Sequence, residues 1–427
     1  MSMNFAPSRS VAKRSTVVEP MRTIPCARSR ADGFVESGGM ISVFSLVTVK
    51  AYAAAMMLAI TTATMKLMML VCVSTASLED IARDIRTKHS MKGLVIAMVT
   101  KDGVVEIAAD GVRAEGAIDA IMTTDRMHLG SCTKAFTATL AATFVAEGAL
   151  QWNSTVGDVL GAQSATMHAD WKAVTLEELL RHRGGAPGSP DAAAWGAAWK
   201  CEATPKECRI AFTDAILAKP LAQPRGTQMY SNQGYAIVGR MCEAAHAATS
   251  SANASYETLL AERVLAPLGI VHYGFGAPSL VDAASPKGHS ASGAKSDVDN
   301  PQSIAPAATL HMPVGEWAKF IAFQLGGTAP KDLEGAAKQL AYLHKPWEKL
   351  GEKSGETTRR EALGWFVLDR PWGGRVLTHS GSNTVWYCSA WIAPEKGFAV
   401  LAATNQGGDA MAKACDEACS AMIQLRK

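Results

Sequence analysis

The stretch Arg126–Leu150, RMHLGSCTKAFTATLAATFVAEGAL, decides how the rest of the chain is read. Phe136, Leu140, Phe144 and Val145 recur at helical spacing and predict a helix over about 131–148 with one apolar face. Ser131 opens it directly behind Gly130. Serine is favoured there as a cap alone. Lys134, however, lies one turn further on the same face, among otherwise uncharged neighbours. Burial disfavours an ammonium, so such a lysine tends to a lowered pKa and could hold or receive a serine proton. The first N–H groups of the helix also face incoming negative charge. Ser-x-x-Lys recurs at Ser10–Lys13 and Ser292–Lys295, but the first lies in the leader and the second in the loop ASGAKSD. Only Ser131–Lys134 opens an amphipathic helix.

Two further segments stand out. In PRGTQMYSNQGYAIVGRMCEAA (224–245), Tyr230-Ser231-Asn232 precedes a helical pattern, and Tyr230 and Asn232 can point the same way from a turn. A tyrosine beside an ammonium has its phenolate favoured, which makes Tyr230 a candidate general base. A Tyr–Asn pair satisfying a helix start is the plainer alternative. In RVLTHSGSNTVWYCSAWIAP (375–394), His379-Ser380-Gly381 ends one strand-like run and turns into another. Gly381 would let a ligand approach the strand edge. The alternative is a hairpin bend with a surface histidine.

Around these segments the chain reads as α+β. An opening helix starts at Ser77, and two alternating runs flank Lys101-Asp102-Gly103 as a hairpin. Helices are expected near 175–182, 208–218, 234–247, 256–265, 314–325 and 408–425. Four strand-like runs lie near the C-terminus: LGWFVLDR, RVLTHSG, WYCSAWIAP and GFAVLAATNQ, the last two joined by a turn at Pro394–Gly397. The economical assembly is one antiparallel sheet built from both chain ends, flanked by helices, with a mostly helical insert over about 150–310.

Ser-x-x-Lys at a helix start, Tyr-x-Asn 99 residues later, and His-Ser-Gly another 149 on, together resemble the serine β-lactamase and penicillin-binding protein superfamily. The Tyr-Ser-Asn form looks like the branch with the larger class C β-lactamases, D-Ala-D-Ala carboxypeptidases, D-aminopeptidases and esterases. LGSCTKAFTATL, VTLEELLRHRGG, PRGTQMYSNQGYAIVG and APLGI followed by GFG extend the likeness over about residues 80–424. It implies Ser131 as acylated nucleophile, Lys134 as its proton partner and Tyr230 as general acid/base. Asn232, His379, Ser380 and Gly381 would bind substrate, and the backbone N–H groups of Ser131 and Ser382 would form the oxyanion hole. His379 stands where many members have Lys, and Ser380 where they have Thr. A histidine is mostly neutral at neutral pH. This shifts weight from an efficient β-lactamase toward an esterase, amidase or D-amino-acid peptidase. Arg183, in Arg183-Gly184-Gly185 after His182, could restore a positive charge, though a solvated loop arginine is the plainer reading. Trp195, Trp199, Cys201 and Cys208 could form a lid, and Trp372, Trp386 and Tyr387 could wall an acyl pocket.

Residues 1–39 read as an unstructured extension. Residues 40–77 read as a secretory signal, or an uncleaved membrane anchor, with Met40, Met56 and Met65 as candidate starts. Export to the periplasm or medium is therefore expected. Residues 1–77 hold a surplus of +5, whereas the rest carries −2, so a nucleic-acid partner loses compositional support. Seven cysteines follow residue 77, so at least one is free or paired between chains; Cys201 and Cys208 could pair in an oxidising compartment or stay reduced. There is no C-x-x-C and no H-E-x-x-H, so no metal or cofactor is expected. Absence of G-x-S-x-G disfavours an α/β-type Ser-His-Asp hydrolase. The partner is then a small-molecule or peptide substrate: a β-lactam, an ester or a D-amino-acid peptide. The rival class is a catalytically silent module that binds penicillin or wall fragments.

Overall fold

The computed structural model describes residues 77–251, 253–348 and 359–426. The readings of 1–39 as an extension and of 40–76 as signal or anchor lie outside the described residues. Ser77 belongs to the fold rather than to the leader. It caps α1 (Leu78–Lys88) through a reciprocal capping box with Asp80.

Strands come from both ends of the chain, as expected. β1 (Gly93–Thr100) and β2 (Gly103–Gly111) form the N-terminal hairpin. Thr100 pairs with Gly103, so of the expected Lys101-Asp102-Gly103 only Lys101-Asp102 is turn; Gly103, at φ +118, is the first residue back in the ladder. Between the terminal strands lie five short ones that periodicity did not show: the two-residue pair Gly288–His289 and Lys295–Ser296, and β3 (Arg126–His128), β4 (Gly274–Phe275) and β5 (Leu310–Pro313), the last three paired in the order β3-β5-β4. The C-terminal strands are β6 (Arg360–Glu361), β7 (Phe366–Arg370), β8 (Gly374–Ser382), β9 (Tyr387–Ala393) and β10 (Phe398–Thr404). The main sheet is antiparallel throughout, in the order β2-β1-β10-β9-β8-β7-β6. The last strand of the chain thus closes on the first.

Helices of eleven or more residues among the described residues are α1, α2 (Thr133–Ala146), α3 (Pro205–Leu217), α4 (Asn232–Thr249), α5 (Val314–Gln324) and α6 (Asp409–Gln424). α1 and α6 cover one sheet face, where Ile81, Ile85, Cys415 and Met422 pack on Ile96, Val400 and Ala402. α2 lies in the other core, between the sheet and the helical lobe. The sequence suggests one apolar face for α2, yet nearly every residue of it is buried, Lys134 included. A helix walled on all sides by protein needs no polar face.

The helical lobe has its own internal tie. Arg209 of α3 is fully buried and spans Glu243 of α4 (2.6 Å) and Glu257 (3.0 Å), the latter at the start of the short helix Tyr256–Leu260. Removing one partner of a buried ion cluster strands the others' charges. Arg209→Met is expected to lower unfolding free energy by about 3–5 kcal/mol. The check is a urea titration in which the midpoint falls while the slope stays constant.

Candidate active site

Three chain segments converge at the start of α2. A single 3₁₀ turn, Gly130–Cys132, precedes the helix. Thr133 Oγ1 donates to Gly130 O (2.6 Å) and accepts from Leu310 N–H (3.3 Å), which locks this turn to β5. Gly130 has φ +47, and a Cβ there would lie 2.4 Å from Ser382 N. A Cβ on Gly381 would lie 1.9 Å from Leu129 O and 2.9 Å from Ser131 N. Only glycine fits at either position, and two bare backbones therefore touch where Ser131 and Ser382 carry their N–H groups. Pairing of β8 with β7 stops at Thr378↔Phe366, whereas pairing with β9 continues to Ser382↔Tyr387. Residues 379–382 thus have one open edge, beside Ser131.

Lys134 is fully buried and meets no carboxylate among the described residues. Its Nζ donates to Ser131 Oγ (3.0 Å), Asn232 Oδ1 (2.7 Å) and Ala307 O (3.0 Å), one acceptor for each ammonium proton. Burial pushes its pKa down to about 7. Asn232 accepts this bond with its Oδ1, which aims its amide nitrogen elsewhere.

Tyr230 brings its ring centroid within 4.8 Å of Lys134 Nζ. His182 holds it there. The two rings are 4.3 Å apart, His182 Nδ1 accepts from Ser231 N–H (3.1 Å), and its carbonyl accepts from Met229 N–H (2.8 Å). The expectation of a favoured phenolate is overturned. Desolvation raises the Tyr230 pKa well above the usual tyrosine range, outweighing a hydrogen bond with Ser131 and the positive charge of Arg359. The group is a phenol with a proton to give.

His379 is buried, with its ring 6.3 Å from that of Tyr230 and 5.2 Å from that of Phe366. Its Nδ1 lies 2.7 Å from Ser380 O. A carbonyl only accepts, so the ring proton is on Nδ1 and Nε2 keeps a lone pair. Burial, and then the charge of Lys134, push its pKa down to about 3. His379 is therefore neutral at any working pH. Ser380, one residue on, turns its side chain to the opposite face of the strand, where it is exposed and bonds Tyr387.

The structure thus gathers Ser131, Lys134, Tyr230, Asn232 and His379, with Gly381 and Ser382 along the open edge, and leaves the Ser380 hydroxyl outside that cluster. Arg183 is neither a cleft cation nor a solvated loop residue. It is tied to Glu361 (2.9 Å) and to Gly226 O (2.7 Å). Arg359 is the cation that faces the site instead: exposed, 4.0 Å from the centroid of the Phe366 ring, and felt by Tyr230, His379 and His182. No sequence spacing marks it. His182 was legible only as a histidine closing a helix, and its φ of +59 is the structural sign of its role.

The aromatic expectations divide. Trp372 packs with Trp391 and Phe398 in the α1/α6 core, with Tyr387 on the same side of the sheet; neither walls a pocket at Ser131. Trp386 is buried against Gly288. Trp195 packs on Trp199 and on Phe212 of α3, and Cys201 and Cys208 form a disulfide.

Residues 78–418 match the beta-lactamase family. A stretch of 187 residues is 29% identical to penicillin-binding protein 4 of Amycolatopsis lactamdurans, spanning 44% of this chain and 45% of that protein, so the chain covers about half the length of this relative. Among solved structures, the octameric penicillin-binding protein homologue of Pyrococcus abyssi superposes with a TM-score of 0.65 at 21% identity, over 81% of this chain and 77% of that one. The D-alanine carboxypeptidase AmpC of Burkholderia cenocepacia gives 0.63 at 16%, over 80% and 98%. A class C beta-lactamase of Rhodobacter sphaeroides gives 0.64 at 17%, over 81% and 99%. These likenesses are of fold.

A free amine at Lys134 exists only above the midpoint of its titration. If it takes a proton during turnover, kcat/KM rises about tenfold between pH 6 and pH 8, through a midpoint at about 7. A pH–rate profile checks this, and Lys134→Met is expected to lower the plateau by about 10²–10⁴-fold.

Proposed function

This chain belongs to the beta-lactamase family, and from that premise we propose that it is a serine hydrolase working through an acyl-enzyme at Ser131. One observation carries the reading: the buried Lys134 amine touches the Ser131 hydroxyl, with no carboxylate among the described residues to hold its proton in place. Ser131 Oγ attacks the substrate carbonyl carbon while its proton passes to Lys134 Nζ. The tetrahedral oxyanion lies against the N–H groups of Ser131 and Ser382. The bond to the leaving nitrogen or oxygen breaks, and the leaving atom takes the proton of Tyr230, which Lys134 then replaces. Water attacks the acyl ester, gives one proton through Tyr230 and Lys134 to Ser131 Oγ, and releases the acid. The Asn232 amide nitrogen, its oxygen being occupied by Lys134, serves as donor to a substrate carbonyl.

The relatives' names include a penicillin-binding protein, a D-alanine carboxypeptidase and β-lactamases. We place the substrate among the same acyl donors: D-alanyl peptides, β-lactams and simple esters. Neutral His379 offers no charge to a substrate carboxylate, whereas Arg359 lies at the same aromatic cluster and does. A charge-assisted hydrogen bond is stronger than a neutral one. Export, as read from residues 40–77, is part of the proposal, and the Cys201–Cys208 disulfide fits an oxidising compartment. N-terminal sequencing of protein recovered outside the cytoplasm tests it, and an intact leader there would favour an anchor.

Fluorescent penicillin and a fluorophosphonate are expected to label the wild type and not Ser131→Ala. No label from either probe would favour the silent binding module. Arg359→Gln is expected to raise KM about tenfold for a D-Ala-D-Ala peptide or nitrocefin, while p-nitrophenyl acetate, which has no carboxylate, is turned over unchanged. Steady-state kinetics on the three substrates decides.

A further inference from the structure

Behind the two oxyanion donors runs a buried polar chain that the reaction scheme above does not use. Gly130 N–H donates to His128 Nδ1 (3.0 Å). A backbone N–H is a donor only, so Nδ1 is bare and the ring proton sits on Nε2, which donates to Asp299 Oδ2 (2.9 Å). The other carboxylate oxygen, Oδ1, accepts from Asn383 Nδ2 (2.9 Å). Asn383 in turn braces its own turn, its Oδ1 accepting from Val385 N–H (3.3 Å) and Trp386 N–H (3.0 Å) around Thr384, held at φ +78. The side chains of His128 and Asp299 are 0% and 7% exposed.

Gly130 is the residue before Ser131, and Asn383 is the residue after Ser382. The chain therefore runs from one backbone to the other across segments far apart in sequence, the end of β3 and the end of β8. Both junctions are otherwise bare. Gly130 and Gly381 have no side chains with which to fix the gap between them, and the open edge of β8 has no strand beyond Thr378 to hold it. A carboxylate is costly to bury unless its oxygens are satisfied, and here each oxygen goes to one side of the oxyanion hole.

Building on the reading of Ser131 as nucleophile, we propose that Asp299 is a positioning residue that sets the spacing of the Ser131 and Ser382 N–H donors, acting through His128 on one side and Asn383 on the other. It touches no substrate. Its effect falls on the state in which negative charge develops on the substrate oxygen, because that is when donor placement counts.

The test compares wild type with Asp299→Asn, which keeps the shape but removes the charge and one of the two acceptors. Turnover of p-nitrophenyl acetate and the affinity of phenylboronic acid are measured together; the boronate forms a tetrahedral adduct on the serine and places an oxygen between the two donors. The expected result is a fall in kcat of about ten- to a hundredfold, KM within twofold, and a rise in boronate Kd by the same factor as the loss in kcat. A loss of packing alone would not tie boronate affinity to kcat. Should Asp299→Asn fail to fold, His128→Asn decides by the same criteria, since its Oδ1 can keep the Gly130 contact while losing Asp299. Values of kcat and boronate Kd both within twofold of wild type would overturn the proposal, as would a fall in kcat with boronate affinity intact. Fluorophosphonate labelling of the wild type runs alongside. An unlabelled wild type overturns the reading of Ser131 and this proposal with it, whereas a labelled wild type beside an unaffected Asp299→Asn overturns the role of Asp299 alone.

Discussion

An amine with no counter-ion among the described residues sits at the candidate active site, and the arrangement around it follows from how that amine is tolerated. Lys134 lies on a helix buried on all sides, where an isolated ammonium would be strongly disfavoured. The protein supplies three neutral acceptors and the faces of Tyr230 and Tyr235, the latter ring centroid 5.5 Å from Nζ. These soften the cost without restoring a full charge preference, so the group titrates near neutrality rather than as a surface lysine. A carboxylate in place of Asn232 or Ala307 O would hold the proton permanently. Neutral acceptors keep it transferable, and each comes from a different segment, so α4 and the turn before β5 must both reach α2 for the lysine to be buried at all.

The same logic fixes Tyr230. Its proton stays because desolvation exceeds the pull of the Arg359 charge and of the Ser131 hydrogen bond, and this reverses what adjacency of residue types suggests. The sequence shows that a lysine and a tyrosine belong to one constellation, but it does not show how much water remains beside the phenol. That depends on the stacking of His182, and on Phe366 and His379 closing the far side at 6.3 Å each. Proton donors and acceptors here are assigned by packing as much as by chemistry.

This marks the line between what could be read from residue order and what could not. The N-terminal hairpin, the four C-terminal strands and the long helices were legible because each is a local pattern of period 2 or 3.6. Ser131, Lys134, Tyr230, Asn232 and His379 were legible because each sits at a start or end of such a pattern, beside glycine or a cap. The strands β3, β4 and β5 were not: two to four residues carry no period, and the pairing of β3 with β5 joins positions nearly two hundred residues apart. Arg183 was misplaced for the same reason, since its partner Glu361 lies on β6, far along the chain. Arg359, His182 and Asp299 act through distance and angle alone, with no neighbouring motif to single them out.

A neutral imidazole at His379 then has a physical meaning beyond the loss of a lysine. A second ammonium at that point would face Lys134 across a dry cluster, and two like charges would drive one amine still lower. The Nδ1–H bond to Ser380 O ties the ring to its own strand and leaves Nε2 as an acceptor, so the position offers a lone pair to the cleft where a lysine offers protons. Positive charge is instead held on Arg359, exposed and over the Phe366 ring, where solvation keeps it cheap. Keeping that charge on a solvated guanidinium lets the buried Lys134 amine titrate near neutral pH with no cation in contact with it among the described residues.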